Sequence, residues 1–158
     1  MTPTRPDTLL RPMVSIDLPK VLETEVLCYP DPWSHQTFAD CLSAQTKGYR
    51  CYVLLLDEGV IGHAVLTLIL DEAELLNFCL APTQQGKGLA ADYLDSVLMA
   101  MAKQGANKLF LEVRQSNAPA RQLYASAGMQ EIGRRKNYYP LLDGREDAIL
   151  MGMEWQSD

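Results

Sequence analysis

Histidine is scarce in this 158-residue chain: His35 and His63 are its only two, beside four cysteines, Cys28, Cys41, Cys51 and Cys79. No Cys-x-x-Cys occurs and neither histidine stands at metal-ligand spacing from a cysteine, so no zinc framework and no metal are expected. The four thiols are expected to be reduced and mostly buried, in a cytoplasmic protein. Basic residues are also in deficit, 14 Lys and Arg against 20 Asp and Glu, for a net charge of −6. Sequence-independent nucleic-acid binding needs cations to neutralise phosphates, so no nucleic-acid partner is expected and a cationic one is favoured. No apolar run approaches the ~18 residues of a membrane span, and the opening Met1-Thr-Pro-Thr-Arg-Pro-Asp-Thr lacks an export signal's apolar stretch. Neither membrane insertion nor export is expected. Without a repeat, low-complexity tract or Gly/Ser linker, residues 1–158 are expected to form a single domain, with 1–11 disordered. Gly-x-Ser-x-Gly and Gly-Lys-Ser/Thr are missing too, which removes the serine-hydrolase and P-loop readings.

What is present is an ordinary globular composition, 47% hydrophobic and 22% charged. A chain of this length buries roughly 68–70% of the surface its unfolded form exposes and needs no staple. Residues 13–16 read as a first strand, and Asp17 with Pro19 behind it opens a helix to about Cys28. Pro30-Asp31-Pro32 breaks the chain, and Ser34 caps a second helix through about Ser43. Residues 50–56, 60–70 and 74–80 are strand-like runs joined by Asp57-Glu58-Gly59 and Asp71-Glu72, an antiparallel meander. Helical spacing then appears at Leu89, Ala90, Tyr93, Leu94, Val97, Leu98 and Met101. Residues 108–114 form a strand parallel to the one before Pro82, reached by that crossover helix. Asn117 caps a short helix that Gly128 ends, and residues 129–134 and 148–155 close the order β-α-α-β-β-β-α-β-α-β-β. The expected fold is α/β: a mixed, mostly antiparallel sheet with a central parallel strand pair and helices on both faces.

Gln85-Gly86-Lys87-Gly88-Leu89-Ala90 lies between a strand and an amphipathic helix. Glycines there let a ligand approach the backbone, and a helix N-terminus presents unpaired N–H groups and about half a positive charge. The segment suits a pyrophosphate. A ligand-free tight turn accounts for two glycines equally well. Gly86, Gly88 and Ala91 also fit the dinucleotide pattern Gly-x-Gly-x-x-Ala, but an antiparallel meander precedes them where a Rossmann unit has its first strand.

Glu112 sits inside Leu109-Phe110-Leu111-Glu112-Val113. Alternation puts it on a face with Phe110, away from Leu109, Leu111 and Val113. A carboxylate in a central strand loses hydration and becomes a better general base; the competing reading is an ion pair with Arg114 on the same face. Tyr124, on the next helix, is placed either to donate a proton near the sheet or to pack its ring under the helix. Tyr138 and Tyr139 either wall a cleft or fill a sheet edge. His35 reads as a surface residue and His63 as a strand residue.

Together these residues resemble the GNAT acyltransferase superfamily, and within it the ribosomal-protein-alanine N-acetyltransferases of the RimI type. The resemblance is carried by Gln85-Gly86-Lys87-Gly88-Leu89-Ala90, Leu111-Glu112-Val113-Arg114-Gln115-Ser116-Asn117, Ala120-Arg121-Gln122-Leu123-Tyr124 and Arg135-Lys136-Asn137-Tyr138-Tyr139-Pro140. It continues through Asp143-Gly144-Arg145-Glu146-Asp147-Ala148, with further likeness at Pro32-Trp33-Ser34 and Leu70-Asp71-Glu72-Ala73. It is close from about Pro30 to Met151 and weak before that. It implies acetyl-CoA as cosubstrate, Glu112 as general base, Tyr124 as general acid and Asn117 as a cofactor contact. It further implies that β-strand backbone at Phe78, Cys79 and Leu80 meets the acetyl and pantetheine arm, through a split between the parallel strands. The pyrophosphate falls to Gly86, Lys87, Gly88, Leu89, Ala90 and Ala91, with Gln85 a further cofactor contact. Trp33, Tyr138 and Tyr139 are implied as substrate contacts, and the partner as the basic amino terminus, beginning with alanine, of protein eighteen of the small ribosomal subunit. Acetylation of a lysine or small-molecule amine, or acyl-CoA binding without turnover, are the alternatives. Three positions depart from the family: Ala125 where Glu is frequent, Met129 where Phe is usual, and Cys79 at a small-residue position beside the thioester.

Overall fold

The computed structural model describes residues 8–155. Its elements run β1 (Thr8–Pro12), α1 (Leu18–Cys28), α2 (His35–Ser43), β2 (Tyr49–Leu56), β3 (Gly59–Ile69), β4 (Glu72–Leu80), α3 (Leu89–Lys103), β5 (Lys108–Arg114), α4 (Ala118–Ser126), β6 (Gln130–Leu141) and β7 (Gly144–Glu154). The strands form one sheet in the order β1-β2-β3-β4-β5-β7-β6. Every pairing is antiparallel except that of β4 with β5. The expected α/β architecture and element order are therefore observed.

Local signals set the helices where they fall. Ser34 Oγ accepts from the Thr37 amide to cap α2, and Asn117 Oδ1 accepts from the Ala120 amide to cap α4. Each cap satisfies an amide that the helix cannot. The helices then bury apolar stripes on opposite faces of the sheet. Leu18 and Val21 of α1 and Phe38 of α2 pack with Cys51, Val53 and Val65 on one face. Leu89, Tyr93, Leu94, Val97 and Met101 of α3, with Tyr124 of α4, pack with Leu54, Leu66, Leu109 and Leu111 on the other.

Three expectations need correction. The first strand is Thr8–Pro12, whereas residues 13–16, read as that strand, lead into a short 3-10 turn at Ser15–Asp17. Residues 8–11, read as disordered, are thus held against β2, because an edge strand tolerates Pro12 and asks little of its outer side. The rest of that stretch, 1–7, lies outside the described residues. Next, residues 135–147, which the expected strands 129–134 and 148–155 leave between them, are mostly strand: Asn137-Tyr138-Tyr139-Pro140 belongs to β6, since β6 and β7 extend well beyond the apolar pattern into solvent. Finally, Cys28 and Cys79 are not free thiols. The C-terminus of α1 crosses β4 with their Cα atoms 6.3 Å apart, and a disulfide joins them. Cys41 and Cys51 remain free and buried, as expected.

The parallel pairing decides where a ligand can enter. It covers only Glu72–Leu75 against Lys108–Leu111. At that point β4 carries a bulge: Leu66 pairs with Leu75 and Val65 with Asn77, which leaves Leu76 as the extra residue. A bulge bends its strand and breaks side-chain alternation. Beyond it β4 keeps its pairing with β3 through Leu80 but parts from β5, opening a V-shaped gap in the middle of the sheet.

The chain leading into α1 is fastened by Asp17. Its carboxylate accepts two bonds of 2.8 Å from the Arg11 guanidinium and one of 2.9 Å from the Val14 amide. These bonds, the Arg11 pair foremost, hold the carboxyl below the ordinary 3.8. Arg11 is one-third exposed, so Asp17→Ala is expected to lower the unfolding free energy by only about 1–2 kcal/mol at pH 7, measured by urea denaturation. The stabilisation is present above the ordinary carboxylate pKa and is lost as acid drives the pH through the lower folded value, so variant and parent converge in acid.

Candidate active site

The gap between β4 and β5 has three walls. Its mouth is the glycine turn: Gly86 and Gly88 adopt φ values of 76° and 78°, a left-handed conformation that favours glycine. Gly88 stands at the N-cap of α3 with no side chain capping the helix, and a Cβ built on Gly86 would meet nothing within 4 Å. The turn is thus open at a helix N-terminus, which fits an anionic diphosphate. Leu89 is buried and anchors the helix, while Ala91 is exposed and Ala90 half-buried. Gln85 reaches back to bond the Leu80 carbonyl from Nε2 at 2.9 Å, tying the turn to the end of β4.

The gap's β4 edge is a set of backbone groups that no strand takes up. Phe78 has both of its groups engaged by Tyr29, whose hydroxyl donates to the Phe78 carbonyl and accepts from its amide at 3.3 Å. The Phe78 ring stacks on Tyr93 with centroids 4.3 Å apart and lies 6.3 Å from Tyr124. Cys79 turns its side chain the other way, toward α1 and its disulfide, so its sulfur does not share the face of the gap that Phe78 and Tyr124 line.

Glu112 and Tyr124 approach from opposite faces. Glu112 shares the α1–α2 face of β5 with Phe110 and Arg114, whereas Tyr124 belongs to the core under α3 and α4. Glu112 is 21% exposed and its Oε1 lies 2.9 Å from Arg135 Nε. Arg114, the partner in the ion-pair reading, instead pairs with Glu146 at 3.0 Å, because β7 brings Glu146 alongside β5, and Arg135 reaches Glu112 from β6, on the far side of β7. Burial, with the nearby Tyr29 and Tyr139 phenols, raises the Tyr124 pKa far above the ordinary 10, so its proton is retained at neutral pH. Burial also pushes Tyr29 and Tyr139 up to about 12, with Glu25 adding to the first and Glu112 to the second.

A second bulge, in β6, sets the tyrosine pair. Pairing with β7 slips between Arg135 and Tyr139, and Asn137 takes a φ of 54°. Alternation is broken there, so both rings reach arginines: Tyr139 lies under Arg114 at 4.6 Å and Tyr138 under Arg135 at 5.5 Å. Tyr138, Tyr139 and Glu112 are thereby brought together. Trp33 is not with them; it packs its ring on Phe38, and its amide donates to Glu25. Asn117 has its side-chain oxygen committed to the α4 cap.

Two features were not anticipated. Tyr29 is one, and a single tyrosine in a proline-rich loop gives no local signal. The other is a buried polar cluster in which Glu25 accepts from Asn77 and the Trp33 amide and lies 2.9 Å from His63 Nε2. Glu25 continues the stripe Leu18, Val21, Leu22 at helical spacing, and a carboxylate on an apolar stripe is the signal that finds it. His63, apart from the cysteines in sequence, comes to lie with Glu25 and Cys79, their ligand atoms within 4.8 Å of one another. The disulfide takes the Cys79 sulfur out of any metal-ligand set.

The fold and its parted strands define an acyl-CoA-dependent N-acyltransferase. The chain belongs to the Acetyltransferase (GNAT) family, whose family model matches residues 18–129. It is 40% identical over 137 residues to the [ribosomal protein bS18]-alanine N-acetyltransferase of Escherichia coli (strain K12), covering 87% of this chain and 90% of that one. The protein of the same name from Haemophilus ducreyi is 35% identical over 146 residues, 92% and 99% of the two chains. The crystal structure of the ribosomal-protein-S18-alanine N-acetyltransferase from Escherichia coli superposes with a TM-score of 0.85 at 37% identity, covering 93% of each chain. A spermidine N-acetyltransferase from Vibrio cholerae, solved with CoA and spermine, shares the fold at 21% identity and a TM-score of 0.82 over 96% and 97% of the chains.

Tyr29→Phe removes the group that holds the Phe78 amide and carbonyl. The variant is expected to stay folded and to lose about tenfold or more in kcat for acetyl transfer, checked by steady-state kinetics with circular dichroism as the folding control.

Proposed function

We propose that this protein transfers the acetyl group of acetyl-CoA to the α-amino group of an amino-terminal alanine, on protein eighteen of the small ribosomal subunit. The observation that carries the reading is the 40% identity, over nearly the whole of both chains, with the Escherichia coli enzyme of that name. The arrangement of carboxylate and phenol on opposite sides of the parted strands supports it. So does the charge of −6, which draws a basic protein toward the enzyme.

The diphosphate of acetyl-CoA binds the amides of Gly86 through Ala91 at the start of α3, and the pantetheine arm runs along Phe78, Cys79 and Leu80. An α-amine has a pKa near 7.7–8.0 and is mostly protonated at pH 7, so a proton must leave before attack. Glu112 takes it, through water, from the α1–α2 face. The amine nitrogen then attacks the thioester carbonyl directly, and the backbone at Phe78 with the Tyr29 hydroxyl receives the oxyanion. Tyr124, kept protonated by burial, gives its proton to the departing CoA sulfur from the other face. Tyr138 and Tyr139 present the rim over which the peptide enters; Trp33 shapes that side only through α2. No acyl-enzyme forms.

Intact mass spectrometry tests substrate choice. With acetyl-CoA, a peptide beginning with alanine is expected to gain one acetyl group, whereas a peptide beginning with a bulky residue and an amino-blocked peptide with an internal lysine remain unmodified. Modification of the blocked peptide would transfer the assignment to lysine, and binding of acetyl-CoA with no acetylated product would leave a binding module.

Glu112→Gln and Tyr124→Phe are each expected to lower kcat/KM by about 10²–10⁴ while acetyl-CoA still binds in calorimetry. An unchanged rate in either variant removes that residue from its role.

A further inference from the structure

The Cys28–Cys79 disulfide borders, on the α1 side, the β4 edge along which the pantetheine arm is proposed to run. Cys79 stands between Phe78 and Leu80 on the β4 edge of the gap, and Cys28 is the last residue of α1, directly before Tyr29. Cys28 Sγ is 3.4 Å from the Leu80 carbonyl oxygen, the same oxygen that Gln85 of the glycine turn bonds. One of the two sulfurs is the better target. Cys79 is buried at 2% exposure, whereas Cys28 is half-buried at the edge of the gap. Thiol–disulfide exchange depends on access of the attacking thiol to one sulfur and on a place for the other to leave. Once released, Cys79 Sγ lies within 4.8 Å of Glu25 and His63, polar groups to which a thiol can donate.

We propose that Cys28 is a site of covalent modification by coenzyme A, formed by exchange between the CoA thiol and the Cys28–Cys79 disulfide. The inference rests on acetyl-CoA running along Phe78–Leu80 as proposed above. After acetyl transfer the coenzyme remains with a free thiol at that edge. Its sulfur attacks Cys28 Sγ, the Cys28–Cys79 bond breaks, a new S–S bond joins CoA to Cys28, and the thiol proton ends on Cys79 Sγ. One disulfide is consumed and one is formed, so the step needs no external oxidant or reductant. The product holds the coenzyme in its own site and stops further turnover until a second thiol releases it. Accumulated CoA thereby arrests an oxidised enzyme, while the reduced enzyme, lacking the bridge, continues.

The test uses the purified, air-oxidised full chain, incubated without oxygen with CoA, with acetyl-CoA or with glutathione, and read by non-reducing intact mass and peptide mapping. The expected result is one CoA per chain on the Cys28 peptide, none from acetyl-CoA, and glutathione addition at least about tenfold slower at equal concentration, because glutathione has no nucleotide to position it. Dithiothreitol is expected to remove the adduct and restore acetyl transfer. Cys28→Ser, confirmed folded by its binding of acetyl-CoA, is expected to take up no CoA. Four free thiols in the oxidised chain, glutathione reacting as fast as CoA, or an adduct persisting in Cys28→Ser would each overturn the proposal. Calorimetry separates the two levels: acetyl-CoA binding without an adduct overturns this proposal alone, and absence of binding overturns the cofactor reading and this proposal with it.

Discussion

The parting of β4 from β5 is the constraint on which the site depends. A buried backbone amide or carbonyl without a partner costs about as much as a lost hydrogen bond, so a sheet that opens in its middle must find other partners for the groups it exposes. Here they come from side chains that are not in the sheet. Tyr29 takes both groups of Phe78, and Gln85 takes the carbonyl of Leu80. A bulge at Leu76 bends β4 just where its register with β5 stops, so the opening is built into the strand. The glycine turn, the disulfide and the Tyr124 ring all gather around those few residues.

The opening also joins two compartments that the rest of the sheet keeps apart. Under α3 and α4 the lining is aromatic, Phe78 on Tyr93 with Tyr124 beside them, and burial keeps those phenols protonated. On the face that carries α1 and α2 it is ionic. Arg114 with Glu146 ties β5 to β7, Glu112 with Arg135 ties it across β7 to β6, and Glu25 is wholly buried yet bonded on both oxygens. The proposed roles, Glu112 as proton acceptor on the wet side and Tyr124 as donor on the apolar side, suit a reaction whose nucleophile enters charged and whose leaving group departs as a thiolate.

Local signals were legible in the sequence, and pairings were not. The bounds of β5 follow from alternation, and the starts of α2 and α4 follow from Ser34 and from Asn117 with Pro119, each a short-range interaction. The first strand escaped because Thr-Leu-Leu-Arg-Pro at a sheet edge has neither alternation nor length. Arg114 was given Glu112 because they are neighbours on one strand face; the observed exchange of partners depends on the register of β6 and β7. Cys28 and Cys79 lie 51 positions apart, and only the crossing of α1 over β4 brings them together. Glu112 and Tyr124 were marked in the sequence by a carboxylate in an apolar strand and by the family motif, but that they lie on opposite faces is a property of the sheet.

Tyr29 gives the open edge a further consequence. The Phe78 amide is bonded to a hydroxyl oxygen, so it is not orphaned. A thioester oxygen arriving there, as proposed, would exchange one acceptor for another, and exchanges of this kind are nearly neutral, about 0.5–1.5 kcal/mol net for a whole hydrogen bond. The amide therefore stays aimed into the gap when the substrate binds. The displaced hydroxyl stays next to the same oxygen and can turn its own proton toward it as charge develops. A donor held in place before the reaction begins stabilises the transition state without reorganisation at that moment, and that is the property that makes a fixed dipole more effective than solvent.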